Sequence, residues 1–267
     1  MTKTKKSNND STILVIGGTG IIGRHIVAAS LDAGHPTLVL VRPTAASAAV
    51  DVDSDKAKLL ASLVASGATI VYGDMNDRES LVAAIRQADV VISAVGHRGT
   101  VELDGQLKVV EAIKEAGNVK RFVPSEYGCD VEQAEEGTLE PARSIIAAKD
   151  MSAVAIKAME DERAANKILY VRPPANKLSL GQLVRLWEKK SGNTLQKRYV
   201  SDLQLANQVQ EAPFPVNFQL AMVHSTLVAG VCEQTINPDV GAEATELYPE
   251  MDFLTVDSYL DALLLHA

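Results

Sequence analysis

Along the first half of the chain, short apolar runs alternate with amphipathic stretches. Ile13–Ile16, Thr37–Val41, Ala68–Tyr72, Asp89–Val95 and Val119–Val123 are largely apolar and rich in β-branched residues, so each reads as a strand buried on both faces. Ile22–Ala33, Lys56–Ser66, Glu79–Arg86 and Leu103–Ala116 read as helices, with Leu59, Leu60, Leu63 and Val64 on one face of the second. Strands each followed by a helix predict an α/β, Rossmann-type doubly wound parallel sheet with helices on both faces. Beyond Val123 the alternation stops. Leu139–Glu160 reads as one long helix, and Ile168–Arg172 as a late strand of the sheet stopped by Pro173-Pro174. Leu178–Ser191 reads as a helix ended at Gly192, and Leu203–Glu211 and Phe218–Val228 as further helices. Ala242–Met251 looks like loop, and Val256–Leu265 like a closing helix with Tyr259, Leu260 and Leu263 inward.

Composition narrows the function. A chain of 267 residues suits one α/β domain with a smaller appended lobe. The 26 Lys+Arg against 34 Asp+Glu leave a net charge of −8, which repels phosphate backbones and argues against a nucleic-acid partner. Hydrophobic residues at 46% suffice for a full core, while aromatics at 4% argue against base-stacking or sugar-binding platforms. Cys129 and Cys232 are too few for a disulfide framework or a zinc site, which fits a reducing compartment. Residues 1–12 are polar and lack an apolar signal core, so they read as a disordered tail. No run approaches the ~20 apolar residues that span a bilayer. A cytoplasmic chain with no membrane partner is the expectation.

The sharpest chemistry lies between the first strand and the first helix, at Gly17-Gly18-Thr19-Gly20-Ile21-Ile22-Gly23. Gly17 and Gly20 allow a tight turn and the close approach of a pyrophosphate, and Gly23 allows the helix to pack on the strand. The free amides of the helix start then bind phosphate. An ordinary tight turn uses such glycines too; a strand before and a helix after favour dinucleotide binding. An NAD-binding sheet usually carries an acid ~20 residues further on. Here Arg42 stands nineteen residues after Gly23, suited to a 2′-phosphate and hence to NADPH, unless it is simply solvated. Lys56 offers a second positive charge or an ordinary surface lysine. Other strand ends would line the same cleft: Asp74 towards an adenine amino group, Ser93–Gly96 beside a nicotinamide ribose, His97 as a solvated loop residue, and Pro124–Gly128.

Several blocks together resemble the plant isoflavone reductase-like family, the phenylcoumaran benzylic ether, pinoresinol–lariciresinol and isoflavone reductases. These are Ile-Gly-Gly-Thr-Gly, Ala33–Thr37, Val39–Arg42, Lys114–Phe122 and Pro124–Gly128, with Ile168–Pro174, Leu186–Lys190 and Glu246–Pro249 in the second half. The resemblance implies an NmrA-like, atypical short-chain dehydrogenase/reductase fold and NADPH-dependent reduction of phenolic substrates. It implies cofactor contacts at Gly17, Gly18, Thr19, Gly20, Ile21, Ile22, Gly23, Arg42 and Lys56, and leaves homodimerisation open. It divides the chain into an NADP-binding domain over 13–149 and a truncated substrate-side part over 150–267.

None of the six tyrosines is followed four residues later by lysine, so the ordinary Tyr-x-x-x-Lys catalytic pair is absent. The family resembled uses a single lysine as general acid/base, after a Glu-Pro-Ala-Lys/Arg stretch. Glu140-Pro141-Ala142-Arg143 carries that position to Lys149. On a helix through 142–156, Lys149 would fall among Ile145, Ile146, Ala153 and Ile156, where it either snorkels or loses solvent and gains acid/base character. Past Lys149 the chain departs from the resemblance: Asp150-Met151-Ser152-Ala153 resembles a helix found tens of residues later in the family, as though an internal block were missing. An NADP(H)-binding chain without catalysis is therefore the alternative reading.

Overall fold

The computed structural model describes residues 11–43, 55–96, 100–128, 143–228, 233 and 235–265, with backbone alone at 100–104, 143, 227 and 228. Five strands, β1 (Ile13–Ile16), β2 (Thr37–Val41), β3 (Thr69–Tyr72), β4 (Val90–Ser93) and β5 (Arg121–Val123), form one parallel sheet in the order β3-β2-β1-β4-β5. Ile13 aligns with Thr37 on one side and Val90 on the other. The predicted doubly wound sheet is present, with α1 (Ile21–Asp32), α2 (Asp55–Ala65), α3 (Arg78–Ile85) and α4 (Thr100–Ala116) as its connections.

Strand alternation divides the core between two faces. Leu14 and Ile16 pack with Leu40 and Val91 against Leu81, Val82 and Ile85 of α3 and Val109 and Ala112 of α4. Val15 and Val39 face the other way and meet Val27 of α1 around Gly18. Each fully buried side chain of this kind stabilises by ~1.5–3 kcal/mol.

The chain divides into two units. The first, Met1–Ser125 with Ser152–Ala165, holds the sheet and most of α5 (Ala148–Glu160). The Arg121 guanidinium fastens the end of α5, donating to the carbonyl oxygens of Ala158 at 3.0 Å and Asp161 at 3.3 Å and to that of Met159. Asn118 likewise closes α3 through the carbonyl of Ala88 at 2.7 Å.

The second unit, Glu126–Met151 with Asn166–Ala267, is built from short pieces. β6 (Arg143–Ser144) runs antiparallel to β8 (Lys177–Leu178), and β7 (Ile168–Tyr170) parallel to β9 (Gly241–Glu243). The helices are α6 (Leu180–Ser191), α7 (Asp202–Glu211), α8 (Val216–Val223), α9 (Ala244–Leu247) and α10 (Val256–Leu265). Buried Asn176 ties three segments together: its backbone carbonyl accepts from Ile145 N, its Nδ2 donates to Leu254 O at 2.9 Å, and its Oδ1 accepts from Val256 N at 2.9 Å.

Several sequence expectations are corrected. The helix expected from Leu139 starts at Ala148, because Arg143 and Ser144 pair with β8 instead. Ile168–Tyr170 does not join the main sheet; Arg172 grips Glu243 from backbone N (3.0 Å) and Nε (2.9 Å), which draws the β9 strand alongside. Ala242–Met251, expected as loop, thus contains parts of β9 and all of α9, and Tyr248 is buried. On α10 the buried pair is Val256 and Leu260, while Tyr259 and Leu263 are exposed. Lys190 of α6 bonds Asp257 and Asp261 of α10 at 3.0 and 2.6 Å, and that anchor sets the helix rotation. On α2 only Leu63 is buried, and Val64 is exposed. Thr12, placed in the disordered tail, is held at the amino ends of the central strands β1 and β4, its N–H donating to Asp89 Oδ2 at 3.0 Å. Gly192 does end α6, at φ 70°, opposite a capping box from Ser179 and Gln182.

Candidate functional site

In a doubly wound sheet the crevice lies beyond the carboxyl ends of the strands, where the connections diverge to opposite sides. Here that point lies between β1 and β4, the central neighbours from which the order runs outward. The loop after β1 turns at Gly17, whose φ of +83° is a conformation L side chains rarely adopt. A Cβ at Gly17 would lie 2.5 Å from the Ala94 carbonyl oxygen, so the loops after β1 and β4 touch backbone to backbone. Gly20 N donates to Gly17 O at 2.9 Å and closes the turn.

Helix α1 begins there with Gly20 as N-cap, no side-chain cap and no acid in its first turn. Its leading amides have no acceptor further back within the helix and carry the positive end of the dipole. A Cβ on Gly23 would stand 2.1 Å from the Gly17 carbonyl oxygen, so the helix start is pressed onto the turn as the sequence predicts. Gly17, Gly20 and Gly23 therefore form a shallow cradle of bare backbone. Thr19 is half-buried, Ile21 exposed and Ile22 half-buried beside it.

Arg42 follows the last residue of β2 and is exposed, and Pro43, not an acid, comes next. Lys56 is exposed in the first turn of α2. Neither is in an ion pair among the described residues. The cradle and Arg42 fit the diphosphate and 2′-phosphate of a dinucleotide; Lys56 supplies positive charge on the element that follows β2.

The other expectations fare differently. Asp74 Oδ1 accepts from Asn76 N at 2.8 Å, and Asp74 N donates to Ser80 Oγ at 3.1 Å, so this acid shapes the turn after β3. Within 124–128, Ser125 is buried; its Oγ donates to Val95 O at 2.8 Å and its N–H to Gln106 Oε1 at 2.7 Å. Ser125 thus laces the loop after β5 to the loop after β4 and, through Gln106, to α4. Sequence reasoning missed this role for both. Ser125 stood in a noticed motif, but Gln106 is one polar residue on a helix and carries no local signal. Gly18, given no separate part in the turn, is closed in by Val39, Val27 and Val15. The Tyr127 hydroxyl is buried with no partner among the described residues, and burial pushes its phenol well above the ordinary range. His97, Cys129 and Cys232 lie outside the described residues.

The surroundings expected of Lys149 are corrected. Lys149 is exposed in the first turn of α5, whose buried residues are Ser152, Val154, Ile156 and Met159. Ile145 and Ile146, expected to flank it on a helix, precede that helix. The apolar stripe that would have desolvated Lys149 does not form. Among the described residues no group of His, Cys, Asp and Glu could hold a metal ion, and no helix is long and apolar enough to cross a membrane.

The sequence profile of the NmrA-like family matches residues 9–142 and again 138–260. An isoflavone reductase homologue of Zea mays is 40% identical over 320 residues, spanning 97% of this chain and 100% of its own. The phenylcoumaran benzylic ether reductase PT1 of Pinus taeda is 39% identical over 312 residues, spanning 94% of this chain and 97% of its own. Among solved structures, the binary complex of leucoanthocyanidin reductase with NADPH from Vitis vinifera superposes with a TM-score of 0.84 at 28% identity, covering 95% of this chain and 99% of that one. The alignment with the maize protein is longer than the 267 residues of the whole chain, so that relative carries residues with no counterpart here.

Proposed function

The chain belongs to the NmrA-like family, and from that premise we propose that it is an NADPH-dependent oxidoreductase of the isoflavone reductase-like type, acting on phenylpropanoid phenolics. The observation that carries the proposal is the cradle: Gly17 closed on Ala94, Gly23 closed on Gly17, and an α1 start with bare amides and no acid. Ile21, Ile22 and Gly23 amides hold the diphosphate, with Gly17–Gly20 leaving room for it. Arg42 pairs with the 2′-phosphate, and Lys56 adds charge on the same side of the selection. When bound, NADPH supplies a hydride. The names of the relatives support the rest: one is a reductase of phenylcoumaran benzylic ethers, another is held with NADPH.

The acid/base role of Lys149 rests on the resemblance alone, since its exposure removes the physical argument for it. A second reading is an NADP(H)-binding chain without turnover. It is favoured by the shortfall against the maize relative, and by two family matches that meet at 138–142, ahead of Lys149. A chain lacking residues between its two matched stretches keeps its phosphate cradle and loses pocket wall. Positioning of substrate against cofactor is worth up to ~7–11 kcal/mol, far more than proton transfer alone.

The test of the cofactor site is Arg42→Ala in titration calorimetry. Losing a charge-assisted pair costs ~1.5–3 kcal/mol, so NADPH binding weakens by one to two decades while NADH is almost untouched. Equal weakening of both overturns the 2′-phosphate assignment. NADPH oxidation with a phenylcoumaran, measured for this chain, for Lys149→Ala and for a chain with the relative's additional residues restored, separates the two readings. Turnover by this chain that Lys149→Ala abolishes establishes the reductase with Lys149; binding without turnover establishes the second reading.

A further inference from the structure

Past the end of β4, the backbone groups of the loop keep the alternation of a strand. Ala94 N donates to Ile16 O at 2.7 Å and the Ala94 carbonyl lies against Gly17, so Ala94 turns both groups towards β1. The Val95 carbonyl turns the other way and accepts from Ser125 Oγ at 2.8 Å. The Val95–Gly96 peptide is trans, and in a trans peptide the N–H points opposite to the carbonyl. Holding Val95 O on the β5 side therefore directs the Gly96 N–H to the β1 side. There β1 has already turned off at Gly17, so no strand backbone remains to accept that amide. Gly96 is exposed, a Cβ on it would meet nothing within 4 Å, and its N–H has no acceptor among the described residues.

Ser125 is itself fixed from a third element, its N–H donating to Gln106 Oε1 at 2.7 Å. Gln106 stands one turn ahead of Val109, in line with the face through which Val109, Ala112 and Ile113 of α4 join the core. An apolar side chain would continue that face equally well. An amide there supplies the acceptor that a backbone N–H just past β5 needs. We propose, resting on the reading of the chain as an NADPH-dependent oxidoreductase, that Gln106 and Ser125 are positioning residues. They act through the Val95–Gly96 peptide, holding it so that the Gly96 N–H donates to the carboxamide oxygen of the nicotinamide. The strand order assigns the end of the cofactor: β2, with Arg42 for the 2′-phosphate, lies on one side of β1, and β4 lies on the other. With the diphosphate on the turn after β1, the loop after β4 faces the half that remains. Its exposed neutral N–H suits a carbonyl oxygen. A hydride is delivered only from a ring held in place, and a misplacement of about an ångström costs on the order of 10²-fold.

Titration calorimetry on the full chain with NADPH, and with adenosine 2′,5′-bisphosphate, which lacks the nicotinamide half, tests this. In Gln106→Leu and in Ser125→Ala, NADPH is expected to bind about three- to tenfold more weakly, the range of one neutral hydrogen bond, and the bisphosphate within about twofold of the native chain. Gln106→Glu keeps an acceptor oxygen for Ser125 N, so its ratio of NADPH to bisphosphate affinity is expected to stay within about twofold of the native ratio. A tie that only stabilises the fold would lower both affinities together and leave that ratio unchanged. An unchanged ratio in Gln106→Leu and Ser125→Ala overturns the proposal while the cofactor site stands. So does a Gln106→Glu ratio as low as that of Gln106→Leu. A native chain that binds neither ligand overturns the cofactor reading and this inference with it.

Discussion

Gly23→Ala sets two well-characterised effects against each other. Gly23 sits inside α1, where alanine is ordinarily the better helix former by ~0.8–1.0 kcal/mol. Against that gain stands the position of the new methyl, 2.1 Å from the Gly17 carbonyl oxygen and 2.7 Å from its carbon. That is more than an ångström inside the ~3.5 Å of ordinary contact. The atoms struck are backbone, in a residue already at φ +83° and itself pressed on Ala94, so no side-chain rotation relieves the overlap. Overpacking costs ~1–3 kcal/mol and more where backbone must move. The net expectation is a loss of ~2 kcal/mol or more in urea unfolding. NADPH binding should fall at least tenfold, because relief of the clash displaces the amides that face the diphosphate. Gly96→Ala is the control: a Cβ there meets nothing within 4 Å, so stability should be unchanged or raised by up to ~1 kcal/mol. A Gly23→Ala chain as stable as the native one, or more so, refutes the packing argument and with it the cradle.

Asn176→Ala should cost ~2–4 kcal/mol in urea unfolding, because the Leu254 carbonyl and the Val256 amide lose their buried partner together; a loss below ~1 kcal/mol would mean that the segments are held elsewhere. Arg121→Met should cost ~2–3 kcal/mol and raise amide exchange over residues 152–160, since three carbonyls at the end of α5 lose a charged donor; unchanged exchange there counts against the cap. The backbone N–H of Leu195, then Lys197, hold the Glu188 carboxyl below its ordinary range. Its stabilisation is therefore present above the unfolded value near ~4.3 and lost as pH falls through the folded one. The urea midpoint of Glu188→Gln should accordingly fall less between pH 5 and 3 than that of the native chain, and parallel titrations would contradict this.

The main sheet and its cofactor turn were legible because their causes are local. Short, β-branched apolar runs such as Ile13–Ile16, bounded by turn residues, favour strands covered on both sides, and strands alternating regularly with helices favour parallel pairing. Three glycines between a strand and a helix leave backbone bare wherever the chain goes next. Arg42 was placed at a strand end by counting along the chain. What the tertiary structure decided depends on partners distant in sequence. Arg143 and Ser144 have the propensity to continue a helix, yet pair with Lys177 and Leu178, so the helix expected from Leu139 starts at Ala148. That one change took Ile145 and Ile146 out of the helix and left Lys149 exposed in its first turn, with no preceding turn of helix to cover it. Gly241–Glu243 became a strand through Arg172, and the rotation of α10 followed Lys190, contacts that span about seventy residues each. Gln106 acquired a role only where the fold brought it to Ser125. Periodicity fixes which face of a segment is apolar, but only the assembled chain supplies the hydrogen-bond partner that determines where a segment starts, how it turns and what its polar residues hold.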